Sequence, residues 1–176
     1  MIRNILCPTD FSENSKASVI YAISVAKENS AQLTLFHATV FPTIADFPCE
    51  PDGVCHWERL VDKLRMDHIL GEAELKLRNF AWASFKTEME GILWKTRVGL
   101  GNVADEIRIA ALHEEVDLIV LARSKKPTVA RFFSRSISEA VTKAAACPVL
   151  TIDASRANHR REGWRVPAFR EILQSS

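Results

Sequence analysis

Asp117-Leu118-Ile119-Val120-Leu121-Ala122-Arg123-Ser124-Lys125-Lys126 opens the stretch that decides the fold, and Ser136-Ile137-Ser138-Glu139 and Cys147-Pro148-Val149-Leu150-Thr151-Ile152 complete it. The run from Leu118 to Ala122 is short and continuously apolar, as in a parallel strand covered on both faces. Arg123, Lys125, Lys126, Arg131 and Arg135 follow with no acid among them. Ser136 and Glu139 have capping-box spacing, so a helix is predicted from Ile137 to Ala146 with Ile137, Ala140, Val141 and Ala144 on its inward face. Cys147 to Ile152 then reads as a last strand, and the whole stretch as one βαβ unit.

This order resembles the end of a universal stress protein (UspA-like) domain, where an Asp-Leu-Ile-Val strand, a glycine-rich loop, a helix and a Cys-Pro-Val-Leu strand succeed one another. Asp117 to Val120 and Cys147 to Leu150 carry the resemblance. In members that bind ATP, the loop reads Gly-x2-Gly-x9-Gly-Ser/Thr, and its glycines let backbone amides approach the phosphates. Ala122, Lys125 and Arg135 occupy those glycine positions here, and only Ser136 keeps the terminal hydroxyl. The resemblance spans roughly Ile2 to Asp153 and implies a universal stress protein-like domain over residues 1–153, with a loop insertion at 41–57 and a basic extension at 154–176.

A first βαβ unit stands at the other end of the chain. Ile2 to Cys7 is an apolar strand ended by Pro8-Thr9-Asp10-Phe11-Ser12, with Ser12 as a predicted N-cap ahead of Glu13. Val19, Ala22, Ile23 and Ala26 form a helical stripe, and Asn29-Ser30 ends it. Gln32 to Val40 is the next strand, with Leu33, Leu35 and His37 alternating against Thr34, Phe36 and Ala38. Pro8-Thr9-Asp10-Phe11-Ser12 resembles the family's Pro-x-Asp-x-Ser, whose aspartate reaches toward adenosine, and Asp10 is the matching residue. A purely structural role for Asp10, stabilising the helix start beside it, stays equally open.

Three prolines, Pro42, Pro48 and Pro51, with Gly53 keep regular structure out of the segment from Phe41 to His56. A long amphipathic helix is predicted from Trp57 onward, with Leu70, Ala73, Leu77 and Ala81 as its apolar line. Ile92, Trp94, Thr96 and Val98 alternate as a strand. Gly99-Leu100-Gly101-Asn102 leads into a helix with Asn102 as N-cap and Val103, Ile107 and Ala110 inward. Alternating strands and helices with two crossovers predict an α/β fold, an open doubly wound sheet of five parallel strands with helices on both faces, and the resemblance implies the order 3-2-1-4-5.

In such a sheet, ligands bind at the carboxyl ends of the strands, where the strand order reverses. That places Pro8, Thr9 and Asp10 opposite Ala122, Arg123 and Ser124, and the resemblance adds the loop positions Lys125, Arg135 and Ser136 and, as an adenine contact, Val40 to the candidate nucleotide site. The altered glycine positions predict weak or absent ATP or AMP binding. The five cations from Arg123 to Arg135 and the helix start at Ser136 still suit a small anion. Cys49, Cys55 and His56 raise a metal or redox reading, but five residues between the cysteines exceed the usual zinc spacing.

The chain has 176 residues and a formal net charge of +1, which fits one domain with a full core and argues against a general polyanion binder. No nucleic-acid motif, signal-peptide pattern or membrane-length apolar run is present, so a cytoplasmic protein is expected. Its four cysteines are then not a disulfide framework, and Cys7 and Cys147 read as core thiols in strands. No catalytic constellation stands out, and the chain is read as a binding protein rather than an enzyme. Because Pro148 lacks an amide hydrogen, Val149, Leu150, Thr151 and Ile152 are expected on a sheet edge, where a homodimer would cover them.

Overall fold

The computed structural model describes residues 1–40, 66–123 and 137–153. Their elements are β1 (Asn4–Pro8), α1 (Glu13–Asn29), β2 (Gln32–Thr39), α2 (Met66–Phe85), β3 (Trp94–Leu100), α3 (Val103–His113), β4 (Leu118–Ala122), α4 (Ile137–Ala144) and β5 (Val149–Ile152). All strand pairs are parallel, and the sheet order is β3-β2-β1-β4-β5. The five-stranded, doubly wound sheet predicted from the alternation of elements is the one observed.

Two apolar clusters, one on each face, hold the layers together. Ile5, Cys7, Leu33, Leu35, Leu118 and Val120 point to the face covered by α1 and α2, where they meet Val19, Ala22, Leu77 and Ala81. Leu6, Phe36, Ile119 and Leu121 point the other way and meet Ile107 and Ala110 of α3 and Val141 of α4. Each fully buried Leu or Ile is worth about 1.5–3 kcal/mol. That outweighs the few tenths of a kcal/mol by which a β-branched residue such as Val19 or Ile23 disfavours a helix. Burial on both faces also makes Thr34 and Phe36 of β2 as inaccessible as Leu33 and Leu35, so the alternation along this strand divides two interiors rather than inside from outside.

Local signals set the boundaries. Ser12 caps α1 by accepting from the Ser15 amide at 3.2 Å, and Asn102 caps α3 by accepting from the amides of Ala104 and Asp105. α1 stops at Ser30, whose φ of 53° is left-handed and whose amide returns to the Ala26 and Lys27 carbonyls. β3 begins at Trp94 rather than Ile92, because the Ile92 amide is spent on the Met89 carbonyl in a closing turn.

Two expectations need correction. α4 ends at Ala144, and of its four supposedly inward residues only Val141 is buried, while Ile137 and Ala144 are exposed. This eight-residue helix touches the core through one turn, and the chain must bend at residues 145–148 to reach β5. Cys147 lies in that bend, half-buried, and not in the strand, which starts at Val149 after the amide-less Pro148. The expected basic loop over 124–136, the insertion at 41–57 and the extension at 154–176 lie outside the described residues, as does the first part of the helix predicted from Trp57.

Candidate functional site

The strand order reverses between β1 and β4, so the chain leaves these neighbours in opposite directions and opens a crevice at their carboxyl ends. The β1–β4 register, Ile5 to Leu118 and Leu6 to Ile119, carries on to bring Thr9 level with Ala122. β2 contributes Val40 just past its end, and β5 closes the row through a 2.8 Å bond from the Arg123 amide to the Ile152 carbonyl. Strand alternation puts Pro8, Ala38 and Arg123 toward the α3–α4 side, and His37 and Ala122 toward α1 and α2. Pro8, Thr9, Asp10, Val40, Ala122 and Arg123 thus share one end of the sheet. Lys125, Arg135 and Ser136 lie outside the described residues.

The turn from Thr9 to Ser12 is built from side-chain hydrogen bonds. Thr9 is buried. Its amide donates to the Phe36 carbonyl at 2.8 Å, its hydroxyl pairs with the Ser15 hydroxyl at 2.8 Å, and that oxygen also accepts from the Phe11 amide at 3.1 Å. Asp10 is exposed, and its Oδ1 accepts from both the amide and the hydroxyl of Ser12. Partial burial raises the Asp10 pKa, but the Ser12 bonds outweigh it and hold the carboxyl below its usual value. The side chain is therefore a carboxylate at neutral pH, and it serves both as an acceptor at the crevice mouth and as a brace of the helix start.

The sequence reading missed what buttresses this turn. Phe11 has a left-handed φ of 64°, a conformation that costs a non-glycine residue about 1–2 kcal/mol. Its ring is held 4.3 Å from the His37 ring and 5.2 Å from Phe80, with the Lys76 ammonium 4.8 Å from its centroid. His37 Nδ1 lies 2.8 Å from the Thr9 carbonyl, an acceptor, so this nitrogen carries the hydrogen. Desolvation lowers the His37 pKa and prevails over the Thr9 carbonyl that favours the charged ring. Lys76 adds to the lowering and Asp10 opposes it, leaving a neutral imidazole near pH 7. A ligand role for His37 toward metal is excluded at Nδ1 by this bond. The β1–β2 register, which pairs Pro8 with Phe36 and so sets Thr9 opposite His37, exists only once the sheet has formed, and no local pattern announces it.

At the β3 side, the Gly101 amide donates to the Thr39 carbonyl at 2.9 Å and its φ is 148°, beyond the range in which side chains sit comfortably. A Cβ on Gly99 would lie 2.5 Å from Glu106 Oε2 and 3.0 Å from the Phe36 ring. These glycines let α3 start close against the end of β2, beside Val40, which is 63% exposed despite being apolar.

The universal stress protein family profile matches residues 1–153, from β1 through β5. The chain belongs to the universal stress protein family. Universal stress protein MJ0531 of Methanocaldococcus jannaschii is 29% identical over 152 residues, covering 86% of this chain and 82% of that one. The structure of UspA from Lactobacillus plantarum superposes with a TM-score of 0.61 at 24% identity over 86% of this chain and 97% of that one. A universal stress protein solved in complex with cAMP superposes with a TM-score of 0.57 at 18% identity, over 86% and 97% of the two chains. At such identities the structural likenesses establish the fold.

Neither a metal nor a membrane is written into the described residues. Among them no three His, Cys, Asp or Glu side chains are grouped to hold an ion, and Cys49, Cys55 and His56 lie outside them. No helix among them is long and apolar enough to cross a membrane.

Proposed function

We propose that this universal stress protein is a cytoplasmic, non-enzymatic binding or signalling module of the stress response, homodimeric through β5, that holds ATP weakly or not at all. The observation that carries this reading is the residue set at the phosphate loop. Ala122, Lys125 and Arg135 stand at the glycine positions of the ATP-binding pattern, which by sequence adds a side chain at each place where the pattern relies on bare backbone to approach a phosphate. Ala122 supports it further, being the last residue of β4 and paired with Ile152, a position tied to the sheet edge and unable to open as a loop glycine would. Isothermal calorimetry with magnesium and ATP tests the proposal. No saturable heat is expected with protein at micromolar concentration, and an affinity at or below micromolar would overturn it.

A second reading, a nucleotide-binding stress protein with at most weak ATP turnover, is favoured by the other half of the crevice. Asp10 is an exposed carboxylate at the β1 end, and Val40 presents an apolar surface at the same end of the sheet. A related fold is known in complex with cAMP. AMP binding without ATP binding in the same calorimeter would favour this reading, with Asp10 and Val40 holding the nucleoside and Arg123 compensating for the lost phosphate cradle. A phosphate or another small anion would meet the same cation.

A further inference from the structure

At the other end of the sheet, away from the crevice, a cleft of about 290 Å³ opens between the last turn of α2, residues 86–93 and the start of β3. It is lined by Trp82 and Trp94, by the buried Ala81 and Met89, and by the exposed Lys86 and Glu90. Such a volume is at the lower end for small-molecule sites, which are mostly apolar with a few polar groups at the margin. The frame is closed before any ligand arrives. The Met89 amide donates to the Phe85 carbonyl at 2.9 Å, the Ile92 amide to the Met89 carbonyl at 3.3 Å, and the Leu33 amide anchors the Leu93 carbonyl at 2.9 Å.

Trp82 is 60% exposed, an unusual state for so large an apolar ring, and the Lys86 ammonium lies 4.9 Å from its ring centroid. Lys86 and Glu90 are exposed and, among the described residues, not joined to each other in an ion pair. One cation and one anion therefore flank an aromatic hollow.

We propose that this cleft is a binding site for a small aromatic zwitterion of the aromatic amino-acid class. The ligand's ring packs against Trp82 and Trp94, its carboxylate meets Lys86 and its ammonium meets Glu90. A purely anionic aromatic would gain Lys86 but face Glu90, and a purely cationic one the reverse, so only a ligand with both charges matches both residues. The site is separate from the strand-end crevice and does not depend on what binds there.

The test uses the full chain labelled with 15N, following the indole N–H signals of Trp82 and Trp94, assigned from Trp82→Phe and Trp94→Phe spectra. Titration with L-phenylalanine at millimolar concentrations is expected to shift both signals saturably. Phenylacetate, lacking the ammonium, and phenethylamine, lacking the carboxylate, should each bind about tenfold more weakly, as loss of a charged hydrogen bond implies. Lys86→Gln should weaken phenylalanine similarly and, by removing a like charge, strengthen phenethylamine, and Glu90→Gln should strengthen phenylacetate for the same reason. No shift, equal binding of the three probes, or indifference to both substitutions would overturn the proposal. So would indole signals that move with protein concentration alone, which would make this face a contact between copies of the chain.

Discussion

Gly99 leaves no room for a side chain. An added Cβ would meet the Glu106 carboxylate, which can swing away, but also the Phe36 ring at 3.0 Å and Glu106 Cβ at 3.1 Å, which cannot do so freely. Gly99→Ala should therefore cost about 1–3 kcal/mol, read from urea unfolding. An unchanged midpoint would mean that α3 shifts outward at little cost. Cys7 is fully buried with its Sγ 3.8 Å from the Ser18 hydroxyl, and burial pushes its pKa up to about 12 while the Ser18 contact lowers it slightly. The nucleophile is the thiolate, so Cys7 should resist iodoacetamide at pH 8 in the folded protein and react only on unfolding, as peptide mass spectrometry will show. Labelling of Cys7 under native conditions would mean that α1 opens from the sheet.

Between elements, a charged polar tie joins the end of α3 to β3. Glu114 caps α3, bonds Lys95, and takes Arg97 Nη1 at 2.6 Å, with its side chain only 16% exposed. Desolvation raises its pKa, but the Lys95 and Arg97 hydrogen bonds, helped by their charge, win and hold it below the usual carboxylate value. A depressed folded-state pKa adds stability that is fully present above the unfolded-state value and is lost as pH falls through the folded one. Glu114→Gln should thus destabilise the protein at pH 7, and the difference from wild type should shrink as the pH falls below the ordinary carboxylate range. Thermal unfolding of both proteins across that range checks the sign, and a gap that widens in acid would contradict it. Asp117 makes a comparable tie, with its Oδ2 accepting from the Arg3 and Asn4 amides at 2.7 and 3.0 Å. The aspartate that opens the Asp-Leu-Ile-Val run therefore fastens the start of β1 to the start of β4.

Over the whole molecule, the two edges of the sheet are unlike. β3 carries Lys95 and Arg97, charges that discourage strand addition, whereas β5 is Val149-Leu150-Thr151-Ile152 with none. The bonds from the Ile119 amide to the Pro148 carbonyl and from Arg123 to the Ile152 carbonyl show that even-numbered residues of β5 face β4, so the backbone groups of Val149 and Thr151 face outward. Leu150, by contrast, packs its side chain into the α1–α2 cluster, and a charge there would damage the monomer itself. Thr151→Pro removes one outward amide and no bond to β4. If β5 pairs across a two-fold axis, light scattering after size exclusion should give twice the 19.8 kDa chain mass for wild type and a single chain mass for Thr151→Pro. A wild-type monomer, or a dimer indifferent to the substitution, would move the interface elsewhere.

Sequence alone determined the element order, the parallel sheet and the N-caps at Ser12 and Asn102, because these follow from hydrophobic periodicity and from side chains that act on their own neighbours in the chain. It also marked Asp10 and the altered glycine positions, which are identities and need no coordinates. Only the tertiary structure revealed how His37, Phe11 and Lys76 buttress the Thr9 turn, since those groups come from β2, the turn itself and α2, and meet only when the sheet forms. The same holds for Cys147 and α4. Whether a residue at the end of a short helix is buried depends on how closely the neighbouring elements approach it, and no local pattern records that distance.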